Sequence, residues 1–267
     1  MNEIHLIPTA GLCNRLRAIA SCVYISKQLR LPLTVFWNQY EGLNAQFSQL
    51  FDPIDPNHAV LVESKSWRLQ INRTKDFLLR RLFLTDYEQV IYNFSLQNKG
   101  DIFPLIHTDK NGKLLLISCY SMSEMFDMHK LFRPRPEIQQ QIDSITKNFN
   151  NFTIGVHIRR TDNKLSIADS PIEGFVKMLK DEIINEPRTI FYLATDDDHV
   201  KSQLEDIFEG RLISSHKSTS RNSLEGMQFA VVELFTLAKT SRIIGSNYSS
   251  YSQTAALLGN IPLTYAK

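Results

Sequence analysis

Thr153-Ile154-Gly155-Val156-His157-Ile158-Arg159-Arg160-Thr161-Asp162 is the stretch on which the fold turns. Its first six residues are apolar apart from Thr153 and His157, and charge follows at once. A run that short, bounded in that way, reads as a buried strand. Downstream, an amphipathic helix is expected over Pro171–Ile184. Pro171 suits its first turn, because the missing N–H would have no partner there. Thr189–Ala194 is the next apolar run. Strand, helix, strand is a βα repeat, and such repeats build a parallel sheet.

The pattern continues in both directions. Toward the C-terminus, a helix is expected from Asp198, a short strand around Leu212, and a long helix over Ser223–Lys239. A strand at Arg242–Gly245 and a helix at Ser250–Leu258 follow. Toward the N-terminus, Ile4–Ile7 and Leu33–Trp37 read as strands around a helix carrying Leu16, Ile19, Val23 and Ile25. Val60–Val62, Gln89–Tyr92 and Leu114–Ser118 are further strands. Pro134 and Pro136 interrupt this periodicity, since each disfavours helix in the residue before it. A polar helix from Glu137 to Phe149 then leads to Asn150-Asn151, where the domain boundary is placed. The expected fold is α/β: two Rossmann-like domains, residues 1–150 and 151–267, facing a cleft. Ligands of open parallel sheets lie beyond the carboxyl ends of the strands.

Bulk properties narrow the function. A net charge of +2 is far from the basic excess of a polyanion binder, so nucleic acid is not expected as a partner. The three cysteines, Cys13, Cys22 and Cys119, are odd in number and form no CxxC pair. That argues against a disulfide scaffold or a zinc site and for a reduced, cytoplasmic setting. The N-terminus lacks the basic and apolar regions of a signal peptide, and no run has the ~18–20 apolar residues of a membrane span. Basic residues among apolar ones over Lys65–Leu84 could make peripheral contact with a membrane or with an acceptor. A solvated helix with its apolar face on the core is the favoured reading of that stretch.

Four constellations carry chemistry. The opening strand delivers His157, Arg159, Arg160 and Asp162 to its carboxyl end, and an arginine fork matches phosphate oxygens. Surface ion pairing explains the same arginines equally well. Gly245-Ser246-Asn247-Tyr248-Ser249-Ser250 joins a strand to a helix. Its serines cap that helix, yet free N–H groups and hydroxyls there also make an anion site. It lacks the lysine of a Walker motif. Gly11-Leu12-Cys13-Asn14-Arg15-Leu16 follows the first strand and presents Asn14 and Arg15 as donors, or is simply a turn with a capping Asn. Asp196-Asp197-Asp198 could coordinate a hard cation; alternatively Asp196 and Asp197 shape the loop or bond ligand hydroxyls, and Asp198 favours a helix start.

Together these residues resemble the α1,6-fucosyltransferases, including the nodulation-factor enzymes, and more distantly the protein O-fucosyltransferases. The likeness runs from Leu131 through the RPxP element and the IGVHIRRTD segment to Pro171-Ile172-Glu173. Tyr192-Leu193-Ala194-Thr195-Asp196-Asp197, Asn222-Ser223-Leu224 and Ser249-Ser250 then recur in the same order. In the first half only the GLxNRL loop matches. The resemblance implies a GT-B-like fold, with an acceptor-side first domain and a donor-binding second one. It implies inverting transfer of fucose from GDP-fucose, as co-substrate, to a glycan or lipid-linked saccharide, with no metal or other cofactor. Arg159 would hold the β-phosphate with Ser249 and Ser250, and His157 and Glu233 would lie near the nucleoside. A carboxylate at Glu233 would accept from guanine N1–H and N2–H together. Asn14, Arg15, Arg160, Asp162, Asp196 and Asp197 complete the expected donor set. The family's basic carboxylate corresponds to Ile167 by count, so Asp169 is the substitute in a loop one residue shorter.

Overall fold

The computed structural model of the chain describes residues 1–39, 42–63, 85–94, 101–161 and 164–267. They form two compact units, Met1–Arg133 with Arg221–Leu224, and Pro134–Ser220 with Glu225–Lys267. The division falls after Arg133, ahead of the boundary expected at residue 150. The polar helix therefore goes with the second unit, where Lys217 Nζ donates to Gln141 Oε1 and the Phe149 ring lies against Tyr192.

The first unit contains β1 (Glu3–Pro8), α1 (Leu12–Leu29), β2 (Leu33–Trp37), β3 (Val60–Glu63), β4 (Gln89–Tyr92) and β5 (Lys113–Ser118). Its strands are all parallel, in the order β3-β2-β1-β5-β4. Central β1 pairs Ile4 with Leu33 on one side and Leu114 on the other, and Ile4, Leu6 and Ile7 are sealed from solvent. Helix α1 buries Leu16, Ile19, Cys22 and Ile25 and stops where Arg30 turns left-handed (φ 53°), two residues before Pro32. The Lys65–Leu84 stretch lies outside the described residues.

The second unit contains α2 (Pro136–Thr146), β6 (Thr153–Ile158), α3 (Lys164–Asp169), α4 (Ile172–Asn185), β7 (Ile190–Thr195), α5 (Asp198–Ile207) and β8 (Leu212–Ile213). Helix α6 (Leu224–Leu237), β9 (Ile243–Gly245), α7 (Ser250–Gly259) and β10 (Leu263–Tyr265) complete it. Short α3 and β10 are additions to the sequence reading; six and three residues are too few for either periodicity to show. The strands, all parallel, run β10-β9-β6-β7-β8. Alternation along β6 divides the labour. Ile154, Val156 and Ile158 join Phe175 and Leu179 of α4 and Val200 and Leu204 of α5 in the core. Such burial contributes roughly 1.5–3 kcal/mol for each large side chain. Gly155 and His157 take the opposite face. There a β-carbon on Gly155 would sit 2.8 Å from Thr240 Oγ1 and 3.0 Å from Leu237, so glycine lets the end of α6 settle on the sheet.

The chain leaves β6 toward β7 and β8 on one side and later returns to β9 and β10 on the other. That reversal opens a crevice at the carboxyl ends of β6 and β9, the usual ligand position in such sheets. Among the described residues no helix is long and apolar enough to cross a membrane.

Candidate functional site

At this crevice the strand ends are knitted together. Ser246 N donates to His157 O (3.0 Å), and Arg159 N donates to Ser246 Oγ (3.0 Å). His157 itself is 5% exposed, with Nδ1 2.7 Å from Ser252 Oγ and its ring stacked on Tyr251 at 4.8 Å. Burial drives its pKa down to about 3, against the opposing pull of Asp196. The imidazole is therefore neutral at pH 7 and supports the start of α7.

Arg159 Nη1 meets Asp196 Oδ2 at 2.9 Å, both side chains being largely buried. The same carboxylate accepts from Arg160 N (2.7 Å) and Thr161 Oγ1 (2.6 Å), so Asp196 organises the whole turn after β6. Arg160 turns away from this pair. Its guanidinium donates to Ile167 O (3.3 Å) and Ser170 O (2.7 Å), clasping the end of α3. Ser170 Oγ in turn accepts from Asn247 N (2.9 Å), and Asp169 Oδ2 accepts from Asn247 Nδ2 (2.7 Å). Asp169 and the serine turn are thus brought side by side. Asp162 lies outside the described residues.

The turn from β9 to α7 has two built features. A β-carbon on Gly245 would meet Ser252 Oγ at 2.6 Å and its Cβ at 2.7 Å, so only glycine lets the helix start so close to the strand. Ser249 is the N-cap of α7 but makes no side-chain cap bond, and its residue is 5% exposed. The N-terminus of α7 together with the hydroxyls of Ser249 and Ser250 makes this turn the unit's candidate anion site.

The three aspartates after β7 do not converge. Asp196 serves the β6 turn, Asp197 caps α5 by accepting from His199 N (2.9 Å) and Val200 N (3.1 Å), and Asp198 pairs with Lys201 from the surface. Among the described residues no group of three or more His, Cys, Asp or Glu is placed to hold a metal. The cap uses only Oδ1 of Asp197, one of the residues expected to reach the donor.

Deeper in the unit, Glu233 of α6 is 4% exposed, and burial raises its pKa to about 8 although Lys201 pulls the other way. No hydrogen bond reaches its carboxyl group from the described residues. Near it Tyr192 Oη and Thr236 Oγ1 are sealed from solvent with only each other for company, and burial, then the nearby Glu233, push the phenol pKa upward against the pull of Thr236. Lys201, 3% exposed, donates to Ser215 O (2.6 Å). Neither Lys201 nor the Tyr192–Thr236 floor was foreseen; a lysine on a polar helix gives no sequence signal of burial.

In the first unit, the loop after β1 keeps Asn14 partly open, with Oδ1 accepting from Arg17 Nη2 at 2.9 Å. Arg15 is turned inward instead. It is 1% exposed, donates to Ala10 O (2.9 Å) and Asn38 O (2.7 Å), and lies 4.9 Å over the Trp37 ring. Its position in α1 faces the sheet, so the guanidinium braces the loop rather than presenting donors outward.

No family model matches the sequence, and no curated protein matches it. Solved structures do. The chain matches NodZ α-1,6-fucosyltransferase soaked with GDP-fucose, with a TM-score of 0.63 at 18% identity over 97% of this chain and 93% of that one. It matches POFUT1 in complex with GDP-fucose, at 0.61 and 9% identity, over 99% and 98%. A variant of Arabidopsis thaliana FUT1 in complex with GDP gives 0.64 and 14% identity, over 100% and 70%. The fold is accordingly the GT-B fold of these fucosyltransferases, as the sequence reading expected.

Proposed function

We propose that this chain is an inverting glycosyltransferase that takes fucose from GDP-fucose and delivers it to a saccharide acceptor. The observation that carries the reading is Arg159 at the β6–β9 crevice, beside a helix start whose serine hydroxyls make no cap bond. The GDP-fucose and GDP bound in the solved structures of the same fold support it. Transfer with inversion needs a leaving diphosphate whose growing charge is stabilised, and a base for the acceptor hydroxyl. Arg159 and the Ser249–Ser250 turn supply the first, with no metal required. Asp196 holds the guanidinium in place until the diphosphate competes for it. Asp169 is our candidate base: Asn247 fixes Oδ2, and no hydrogen bond from the described residues occupies Oδ1. Glu233 is assigned to the guanine edge and His157 to the support of the turn beside the nucleoside. The acceptor is a glycan or a lipid-linked saccharide, handled in the cytoplasm.

A calorimetric panel of GDP, UDP and ADP, followed by transfer from labelled GDP-fucose to mixed oligosaccharides, tests this reading. GDP should bind most tightly and label should pass to at least one acceptor. Equal binding of UDP would overturn the choice of donor. GDP binding with neither transfer nor hydrolysis would make the chain a nucleotide-sugar-binding protein without catalysis.

A further inference from the structure

Helix α5 starts beyond the carboxyl end of β7 and buries Lys201 near its beginning. A lysine is seldom sealed in this way, because an ammonium group out of water is costly unless it is fully paired. Here the pairing is incomplete. Nζ carries three N–H donors. One goes to Ser215 O at 2.6 Å, just past the carboxyl end of β8. Another goes to Asp198 Oδ1 at 3.2 Å, on a side chain that is 90% exposed. The last finds no acceptor among the described residues. Glu233 of α6 is the complementary case. It is buried, accepts no hydrogen bond from the described residues, and its oxygens are not among the polar atoms sealed from solvent. Lys201 lies near enough to draw the Glu233 pKa down against the effect of burial, yet the two form no direct ion pair. An ammonium group with a spare donor, close to a carboxyl group that lacks any donor, suits a ligand with an acceptor and donors on one edge.

We propose that Lys201 is a specificity-determining residue whose ammonium group donates to O6 of the guanine that Glu233 holds by N1–H and N2–H. The inference rests on the donor reading given above and deepens it. Guanine carries the O6 acceptor, N1–H and the N2 amine in a row along one edge. An acceptor at one end meets the ammonium group, and two donors meet the carboxylate. Both buried groups then complete their hydrogen bonds, and neither charge is left without a partner. Adenine reverses the pattern: its N6 amine would face the ammonium group, and its N1 acceptor would face the carboxylate. A site left with unpaired buried groups by the wrong base rejects it more strongly than a merely apolar pocket does. Ser215 O and Asp198 hold Nζ before the base arrives, so the donor is already in position.

The test is calorimetric titration of GDP, IDP and 6-thio-GDP against the wild-type protein and Lys201→Met, with melting curves for both. 6-Thio-GDP keeps the N1–H and N2–H donors but replaces O6 with sulfur, a weak acceptor. IDP keeps O6 and lacks the N2 amine. Wild type should bind 6-thio-GDP about tenfold more weakly than GDP, the loss expected of one hydrogen bond to a charged group. Lys201→Met keeps the reach of the side chain and removes its charge. It should bind GDP about tenfold more weakly than wild type does and no longer separate GDP from 6-thio-GDP, while still preferring GDP to IDP. A lysine that only anchors Ser215 would weaken all three nucleotides together and leave both ratios as in wild type, which overturns the role. Equal binding of GDP and 6-thio-GDP by wild type overturns it as well, and that comparison stands even if Lys201→Met does not fold. The donor reading fails separately, and takes this inference with it, if wild type binds none of the three or holds IDP as tightly as GDP.

Discussion

Arg159 and Glu233 are ionisable groups in poorly hydrated surroundings, and each makes a distinct prediction. Arg159 is held by Asp196 before any ligand arrives, so removing it leaves one carboxylate short of a partner but keeps that carboxylate's bonds from Arg160 N and Thr161 Oγ1. Arg159→Ala should therefore fold, with turnover reduced about 10²–10³-fold, the typical loss of one donor to a developing oxyanion. Single-turnover kinetics beside a melting curve checks both halves. Glu233 has its pKa raised to about 8, chiefly by burial. The sign follows from the unfolded value near 4.5: the folded state keeps its proton longer, so stability is greatest below that value and declines as pH rises to about 8. His157, lowered to about 3, loses stability in the other direction, as pH falls below about 6.5. Between pH 6.5 and 8 only Glu233 of the two changes. In that window ligand-free Glu233→Gln should show a flatter stability profile than wild type in urea titrations. If guanine meets this carboxyl group, GDP binding at pH 7 should also release close to one proton, read from calorimetry in buffers of differing ionisation enthalpy. No proton release would separate Glu233 from the base.

At the scale of elements, the site depends on how closely α7 approaches β9. Gly245 permits that approach and Ser252, which a β-carbon would strike, is also the partner of the His157 ring. Gly245→Ala should push the helix start away from the strand, costing about 1–3 kcal/mol of overpacking. GDP affinity should fall with it, because the turn that offers the N–H groups moves as well. Urea unfolding and GDP titration on the same preparation check whether the two losses travel together; stability lost with GDP binding intact would place the diphosphate elsewhere. The clasp of α3 through Arg160, Ser170 and Asn247 is a second element-scale device, fixing the other flank of the same turn.

For the molecule as a whole, the proposed donor site would neutralise a diphosphate with one arginine, a helix start and hydroxyls, the aspartates after β7 each being engaged separately. EDTA should accordingly leave both GDP affinity and transfer unchanged within experimental scatter. A strict dependence on Mn²⁺ would reassign Asp196–Asp198 and remove the metal-free scheme. The net charge of +2 also fits recognition of a small anion at one place rather than of a polyanion along a surface.

Most strands and the long helices were legible in the sequence because parallel strands buried on both faces read as largely apolar runs, as Ile154–Ile158, interrupted only by His157, and Leu114–Ile117 do. Turn chemistry was legible too: serines before α7 and Asp197 before α5 announce helix starts from composition alone. The order of strands, and hence the crevice between β6 and β9, was not, since it depends on contacts between segments nearly ninety residues apart, such as Arg159 with Ser246. Nor can a sequence say which of two neighbouring arginines turns to a carboxylate and which to backbone carbonyls. Tertiary structure decided that Arg15 braces a loop, that Asp197 caps a helix through Oδ1, and that Glu233 is buried with a raised pKa. The physical reason is the same in each case: a polar side chain's role is set by the partners that packing brings to it, and those partners come from elsewhere in the chain.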